Sequence, residues 1–286
     1  PYEAREIPCK VKLDANESPY VLPENIFLKK NIFRNLNRYP DPEAKELKKT
    51  VAKNLKINTD SLLLGNGSDE LIYYLIITFG GPVLYPVPTF SMYGIISQAC
   101  GEKGIGIPLD KGFDLDTDKM LAAVRKYNPK LIFLSSPNNP TGNCFSADRM
   151  LKIIEASKGI VVVDEAYQPF SSEKGFLPLL NDYKNLAILR TLSKIGFAAL
   201  RVGFLIGDPG LIKEVNKVRL PFNLNAISQN IALEAFRRKK LVDSQIKNIT
   251  SERERLFEEL DKITGISPYP SEANFILFKA NNANAV

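Results

Sequence analysis

A chain of 286 residues with 44% hydrophobic and 24% charged side chains is long enough for a large core and more than one domain, and its composition is that of a soluble globular protein. It has no run of about 18 apolar residues, which excludes a membrane helix. It has no histidine, which excludes a Ser-His-Asp triad, a His-ligated metal and a His general base within these residues. The net charge of +6 sits on helical faces where bases alternate with acids, as in SERERLFEELDK (251–262), so we read solvated surface and no nucleic-acid site. Cys9, Cys100 and Cys144 lie far apart and are odd in number. They match neither a zinc spacing nor a disulfide framework and fit a reducing, cytoplasmic compartment. The chain opens on Pro, so its true start is expected to be missing, and no signal-peptide pattern follows.

Six apolar runs read as strands: SLLLG (61–65), PVLYPV (82–87), KLIFLSS (130–136), GIVVVDE (159–165), LAILRTL (186–192) and RVGFLIG (201–207). Their continuous apolar character suits strands covered on both faces. Helical patterns lie between several of them. SDELIYYLIITF (68–79) offers Ser68 as a cap and two acids in the first turn. SADRMLKIIEASKG (146–159) offers Ser146 as a cap and Gly159 as a stop. The alternation predicts a three-layer α/β/α large domain with a mostly parallel sheet over 43–225. An N-terminal arm is expected over 1–18. A smaller α+β domain is expected from 19–42 together with 226–286, where one or two long helices precede the apolar segment NFILFKA (274–280). Nothing is expected to pair with that segment, because the sequence stops at NNANAV, and the rest of the small domain is expected to lie beyond it.

In open α/β sheets, ligands bind beyond the carboxyl ends of the strands. After 61–65 comes GNGSDE, which reads either as an ordinary turn with a helix cap or as an anion site at a helix N-terminus. After 130–136 comes PNNPTG, which reads either as a purely structural rigid turn or as one in which Asn139 donates to a ligand oxygen. Strand 159–165 ends in DEAY. Asp164 there needs a partner, either a salt-bridging base or a protonated ring nitrogen. After 186–192 come Ser193 and Lys194. A lysine at the mouth of a sheet is either a snorkelling surface residue or a desolvated amine ready for Schiff-base formation. Arg201 could fork onto a phosphate. Phosphate turn, Asn turn, Asp-x-x-Tyr, Ser-Lys and Arg at successive strand ends together form a site for pyridoxal 5′-phosphate, which requires a covalent Lys and an acid for its ring nitrogen.

In this order the motifs resemble the fold-type I, aspartate-aminotransferase-like enzymes of class II, and among them the histidinol-phosphate aminotransferases. The resemblance rests on LDANESPY (13–20), RYPDP (38–42), GNGSDELI (65–72), PVPTFSMY (86–93), SSPNNPTG (135–142), VVDEAY (162–167), TLSKIG (191–196), LRVGFLIG (200–207) and VRLPFN (218–223). It implies that Lys194 carries the cofactor covalently and moves the substrate proton, and that Asp164 pairs with the ring nitrogen. Asn139 and Tyr167 would bond the phenolic oxygen, and Phe90 would stack on the ring. Ser68, Asp69, Ser193 and Arg201 would bind the phosphate, the first two largely through backbone N–H groups. Tyr39 would reach the phosphate of a neighbouring subunit, which implies a homodimer. Tyr2 and Asn16 would help form the substrate pocket. The implied reaction interconverts imidazole-acetol phosphate and L-histidinol phosphate with glutamate and 2-oxoglutarate, a step of histidine biosynthesis. Threonine-phosphate decarboxylase and aromatic aminotransferase share these motifs, and a non-catalytic binding protein is a remote alternative. Two departures stand out. Gly80-Gly81 is a shorter link than the family leads one to expect, and the family's substrate-binding Arg is expected beyond Val286.

Overall fold

Burial on both faces is what the apolar runs demand, and a central sheet between two helical layers supplies it. The computed structural model describes residues 13–20 and 35–283. Its strands are β1 (Leu62–Asn66), β2 (Val83–Val87), β3 (Gly104–Pro108), β4 (Leu131–Ser135), β5 (Ile160–Asp164), β6 (Leu186–Thr191) and β7 (Val202–Gly207), in the spatial order β1-β7-β6-β5-β4-β2-β3. β3, GIGIP, was not among the expected strands. It is an edge strand in which only Ile105 is buried, so it carries no apolar run.

Successive side chains alternate between the two faces. Leu63, Phe133, Val162 and Leu189 point to one side, where they meet helices α2 (Gly67–Phe79), α3 (Met92–Ala99) and α6 (Pro209–Asn216). Leu64, Leu134, Val163 and Ile188 point to the other, against α1 (Lys45–Leu55), α4 (Thr117–Tyr127), α5 (Ala147–Ala156) and α7 (Ala226–Arg237). The long helix α8 (Lys239–Asp261) follows. A second, two-stranded sheet pairs β8 (Ile266–Pro268) with β9 (Phe278–Ala280) antiparallel. The segment 274–280 therefore has a partner after all, supplied by the preceding chain. No helix of the described residues is long and apolar enough to cross a membrane.

Strand direction brings the expected site together. β2, β3, β4, β5 and β6 run parallel, while β7 is antiparallel to both β6 and β1. Two reversals return β1 to the direction of β6. The carboxyl ends of β1, β4, β5 and β6 therefore share one sheet edge, and the start of β7 joins them.

The helix caps differ from expectation. α2 starts at Gly67, one residue early, and Ser68 makes no cap; instead Glu70 reaches back to accept from the Asn66 N–H at 2.7 Å. Ser146 flanks α5 but gives its hydroxyl to Asp114, and the helix ends at Ala156, ahead of Gly159. Gly80 and Gly81 suffice to carry the chain from α2 to the Pro82 that precedes β2.

Gly203 of β7 lets the first turn of α2 lie directly on the sheet. A Cβ there would come within 2.6 Å of the Gly67 carbonyl carbon and the Ser68 nitrogen, which are backbone atoms that cannot swing away. Gly203→Ala is expected to lower stability by about 2 kcal/mol through overpacking, read from urea denaturation. Unchanged stability would mean that α2 does not rest on β7.

Candidate active site

Asp164 closes β5 and is only 3% exposed. Tyr93 Oη donates to its Oδ2 at 2.8 Å, and the Ala166 N–H donates to its Oδ1 at 3.0 Å. No cation among the described residues pairs with it. The salt bridge that the sequence allowed falls on the next residue, where Arg190 Nη2 lies 2.7 Å from Glu165 Oε2. Glu165 also accepts from the Phe176 N–H, so it anchors the loop after β5. Burial raises the Asp164 carboxyl from 3.8 to about 6, against the lowering effect of its two hydrogen bonds.

Lys194 follows β6 in a short 3-10 turn (Ser193–Ile195) and is half-buried. Its Nζ donates to the Ala15 carbonyl at 3.0 Å and lies 5.6 Å from the centre of the Tyr167 ring. Desolvation holds its pKa below the ordinary lysine value. This is a partly desolvated amine, not a snorkelling surface lysine. Tyr167 is itself buried, and burial pushes its hydroxyl up to about 12 even though Asn16 Nδ2 donates to it at 3.0 Å.

An anion cradle lies beside these groups. α2 presents the free N–H groups of its first turn at Ser68 and Asp69. Arg201 lies just ahead of β7; its Nη1 donates to Ser193 Oγ at 3.3 Å and its Nη2 to Asp69 Oδ2 at 3.0 Å. Thr191 Oγ1 donates to Ser193 Oγ at 2.9 Å. Gly67, at φ +82°, leaves room for the guanidinium, because a Cβ would lie 2.5 Å from Arg201 Nη2.

Ser68, Asp69, Phe90, Asn139, Asp164, Tyr167, Ser193, Lys194 and Arg201, all expected from the sequence, line one cavity together with Ser135, Ala166 and Thr191. At about 90 Å³ it is small beside the cleft of about 410 Å³ at α7 and α8. Chemistry, not size, singles it out: an amine, an acid without a cation and an anion cradle suit a small phosphorylated aldehyde with a basic ring. Phe90 meets Tyr93 edge-on at 5.6 Å, and Tyr93 stacks on Phe133 at 4.7 Å. Sequence reading passes over Tyr93, although it lies three residues after Phe90, in the first turn of α3. Thr191 and Ser135 were missed as well, although both end strands at the same sheet edge. Tyr39 is not in the cavity; it is 82% exposed and stacks on Phe222 at 4.6 Å. Tyr2 lies outside the described residues.

The sequence profile of the family described as aminotransferase class I and II matches residues 8–285. A histidinol-phosphate aminotransferase of Caldanaerobacter subterraneus subsp. tengcongensis is 42% identical over 294 aligned positions, covering 100% of this chain and 83% of its own length. One from Aquifex aeolicus is 43% identical over 97% of this chain and 80% of its own. The crystal structure of histidinol-phosphate aminotransferase from Sinorhizobium meliloti in complex with pyridoxal-5′-phosphate superposes with a TM-score of 0.86 at 25% identity, over 95% of this chain and 76% of that one.

The raised pKa of Asp164 makes it a source of instability in the cofactor-free protein. Below pH 3.8 the group is protonated in both folded and unfolded chains. Between 3.8 and about 6 the folded chain keeps a proton that the unfolded chain has lost. Stability therefore falls as pH rises through that window, by up to about 3 kcal/mol. Asp164→Asn can keep both contacts, with its oxygen accepting from Ala166 and its nitrogen donating to Tyr93. Its stability advantage over the parent, read from urea denaturation, is expected to be near zero at pH 4 and to grow to the kcal/mol range by pH 7. A pH-independent difference would contradict the burial of an unpaired carboxylate.

Proposed function

The chain belongs to the class I and II aminotransferases, and from that premise we propose that it exchanges an amino group between L-histidinol phosphate and 2-oxoglutarate, in histidine biosynthesis in the cytoplasm. The observation that carries the reading is the one cavity that unites the Lys194 amine, the cation-free Asp164 carboxylate and the anion cradle. Its relatives' names supply the substrate.

The residues fit pyridoxal 5′-phosphate. When bound, it supplies an electron-withdrawing ring that acidifies the carbon–hydrogen bond next to the substrate amine. Asp164 is the anion that keeps the ring nitrogen protonated, and Tyr93 and the Ala166 N–H hold that carboxylate in place. Asn139 and Tyr167 offer hydrogen bonds to the phenolic oxygen, and Phe90 offers an aromatic face. Arg201, Ser193 and the backbone N–H groups of Ser68 and Asp69 bind the phosphate, with Thr191 orienting the Ser193 hydroxyl. Lys194 Nζ would be the covalent tether, and its amine would serve as the base that takes the substrate proton, with desolvation holding its pKa below the ordinary lysine value. No histidine is needed.

The division expected from the sequence stands as part of this reading. The proposed division is an arm over 1–18, a large cofactor domain over 43–225 and a small domain from 19–42 and 226–286, except that α7 packs into the core of the large sheet and so belongs with the large domain. The active form is a homodimer in which Tyr39 serves the partner's phosphate site. Its exposure of 82%, with its ring stacked only on Phe222 among the described residues, supports that role.

Borohydride reduction of the cofactor-loaded protein is expected to leave a permanent mass increment on the peptide carrying Lys194, and none in Lys194→Ala. That variant is expected to lose about 10³-fold or more in kcat. The same increment elsewhere in the variant would overturn the assignment. With histidinol phosphate the parent is expected to consume 2-oxoglutarate and release glutamate. Carbon dioxide from threonine phosphate, with no oxo acid consumed, would identify a decarboxylase instead.

A further inference from the structure

The loop between β8 and β9 is remote in sequence from the cofactor site, yet it ends against it. Arg253 of α8 is buried and braces the loop: its Nη1 donates to the carbonyls of Ala273 at 2.9 Å and Phe170 at 3.2 Å. Ser271 Oγ accepts from the Ala273 N–H at 3.1 Å and donates to the Phe275 carbonyl, which closes the loop on itself. Phe275 then meets the Tyr167 ring edge-on at 5.2 Å. Between these fixed points, Asn274 Nδ2 donates to the Asn16 carbonyl at 2.9 Å.

That single bond lands on the residue that connects the arm to the site. Asn16 has φ +52°, in the left-handed region, so its peptide has an orientation that the chain does not adopt by default. Its side chain donates to the Tyr167 hydroxyl at 3.0 Å. The carbonyl of Ala15, one residue earlier, accepts from Lys194 Nζ at 3.0 Å. Asn274 Oδ1 is buried and has no hydrogen-bond partner among the described residues. A buried amide with one half unsatisfied is a poor way to gain stability. Its value lies in the bond its other half makes.

We propose that Asn274 is a positioning residue: by holding the Asn16 carbonyl, it sets the Asn16 donor on Tyr167 and the Ala15 acceptor on Lys194. It acts through Asn16 on two groups of the site that lie on different strand ends. Only the kinetic part of the inference rests on the proposed reaction; the placement of the arm does not.

The test is hydrogen–deuterium exchange of segment 13–20 in the full chain, with pyridoxal phosphate added and without it, for the parent, Asn274→Ala and Asn274→Asp. The Asp variant keeps the shape of Asn274 and loses the donor. Both variants are expected to exchange about tenfold faster in this segment, as removal of a hydrogen bond of ordinary strength implies, while β4 and β5 exchange as in the parent. In the loaded enzyme KM is expected to rise about tenfold with kcat falling less than about threefold, since on the proposed reading Asn16 helps form the substrate pocket. Unchanged exchange over 13–20 in both variants would overturn the inference. Faster exchange in a protein whose parent does not turn over histidinol phosphate would uphold the positioning role and refute only the reaction.

Discussion

Asp164 is placed where no carboxylate would settle for its own sake. β5 carries it to the sheet edge behind three buried valines, Tyr93 and the Ala166 N–H bind its two oxygens, and no lysine or arginine among the described residues forms an ion pair with it. Neutral hydrogen bonds offset only part of the desolvation of a charge, so the group is held near the midpoint of its titration at mildly acid pH. A bound cation would satisfy it completely. A protonated ring nitrogen is such a cation, and it arrives with the cofactor. On the proposed reading, the instability stored at this carboxylate in the empty protein would become binding and electronic tuning in the loaded one.

The neighbouring residues show how narrowly this is arranged. Glu165 is one position later and equally buried, but it is paired with Arg190 and serves the loop that follows β5. Glu165 anchors the fold, whereas Asp164 just before it has only neutral donors to its two oxygens. Lys194 is held in a similar intermediate condition. Desolvation holds its pKa below the ordinary lysine value, and the Ala15 carbonyl accepts from it. The anion cradle depends on backbone geometry as much as on charge. Gly203 lets α2 reach the sheet and Gly67 makes room for Arg201, so the helix N-terminus and the guanidinium converge on one point.

Much of this is legible in the sequence because the sheet is buried on both faces. Continuous apolar runs mark β1, β2, β4, β5, β6 and β7, and the residues that follow the parallel runs, with Arg201 just ahead of the antiparallel β7, are the candidate site. β3 escapes because an edge strand with two glycines has no such run. Tyr93 and Thr191 escape because they act on Asp164 and Ser193 rather than on a ligand, and an apolar or hydroxyl side chain in a helix or strand looks the same whether it packs or positions. Ser68 looks like a helix cap, but the helix begins one residue earlier and Glu70 satisfies Asn66. Sequence separation hides Asn274 entirely: nothing local to residues 271–275 shows that they reach residue 16. The segment 274–280 finds its partner in β8, which precedes it in the chain.

The most direct test of the account is the protonation state of the cofactor's ring nitrogen, followed by nuclear magnetic resonance with an isotope-labelled pyridine ring in the loaded protein. The nitrogen is predicted to stay protonated up to pH 8 in the parent and to be unprotonated at that pH in Asp164→Ala. An identical protonation state in the two proteins would show that the buried carboxylate does not govern the ring.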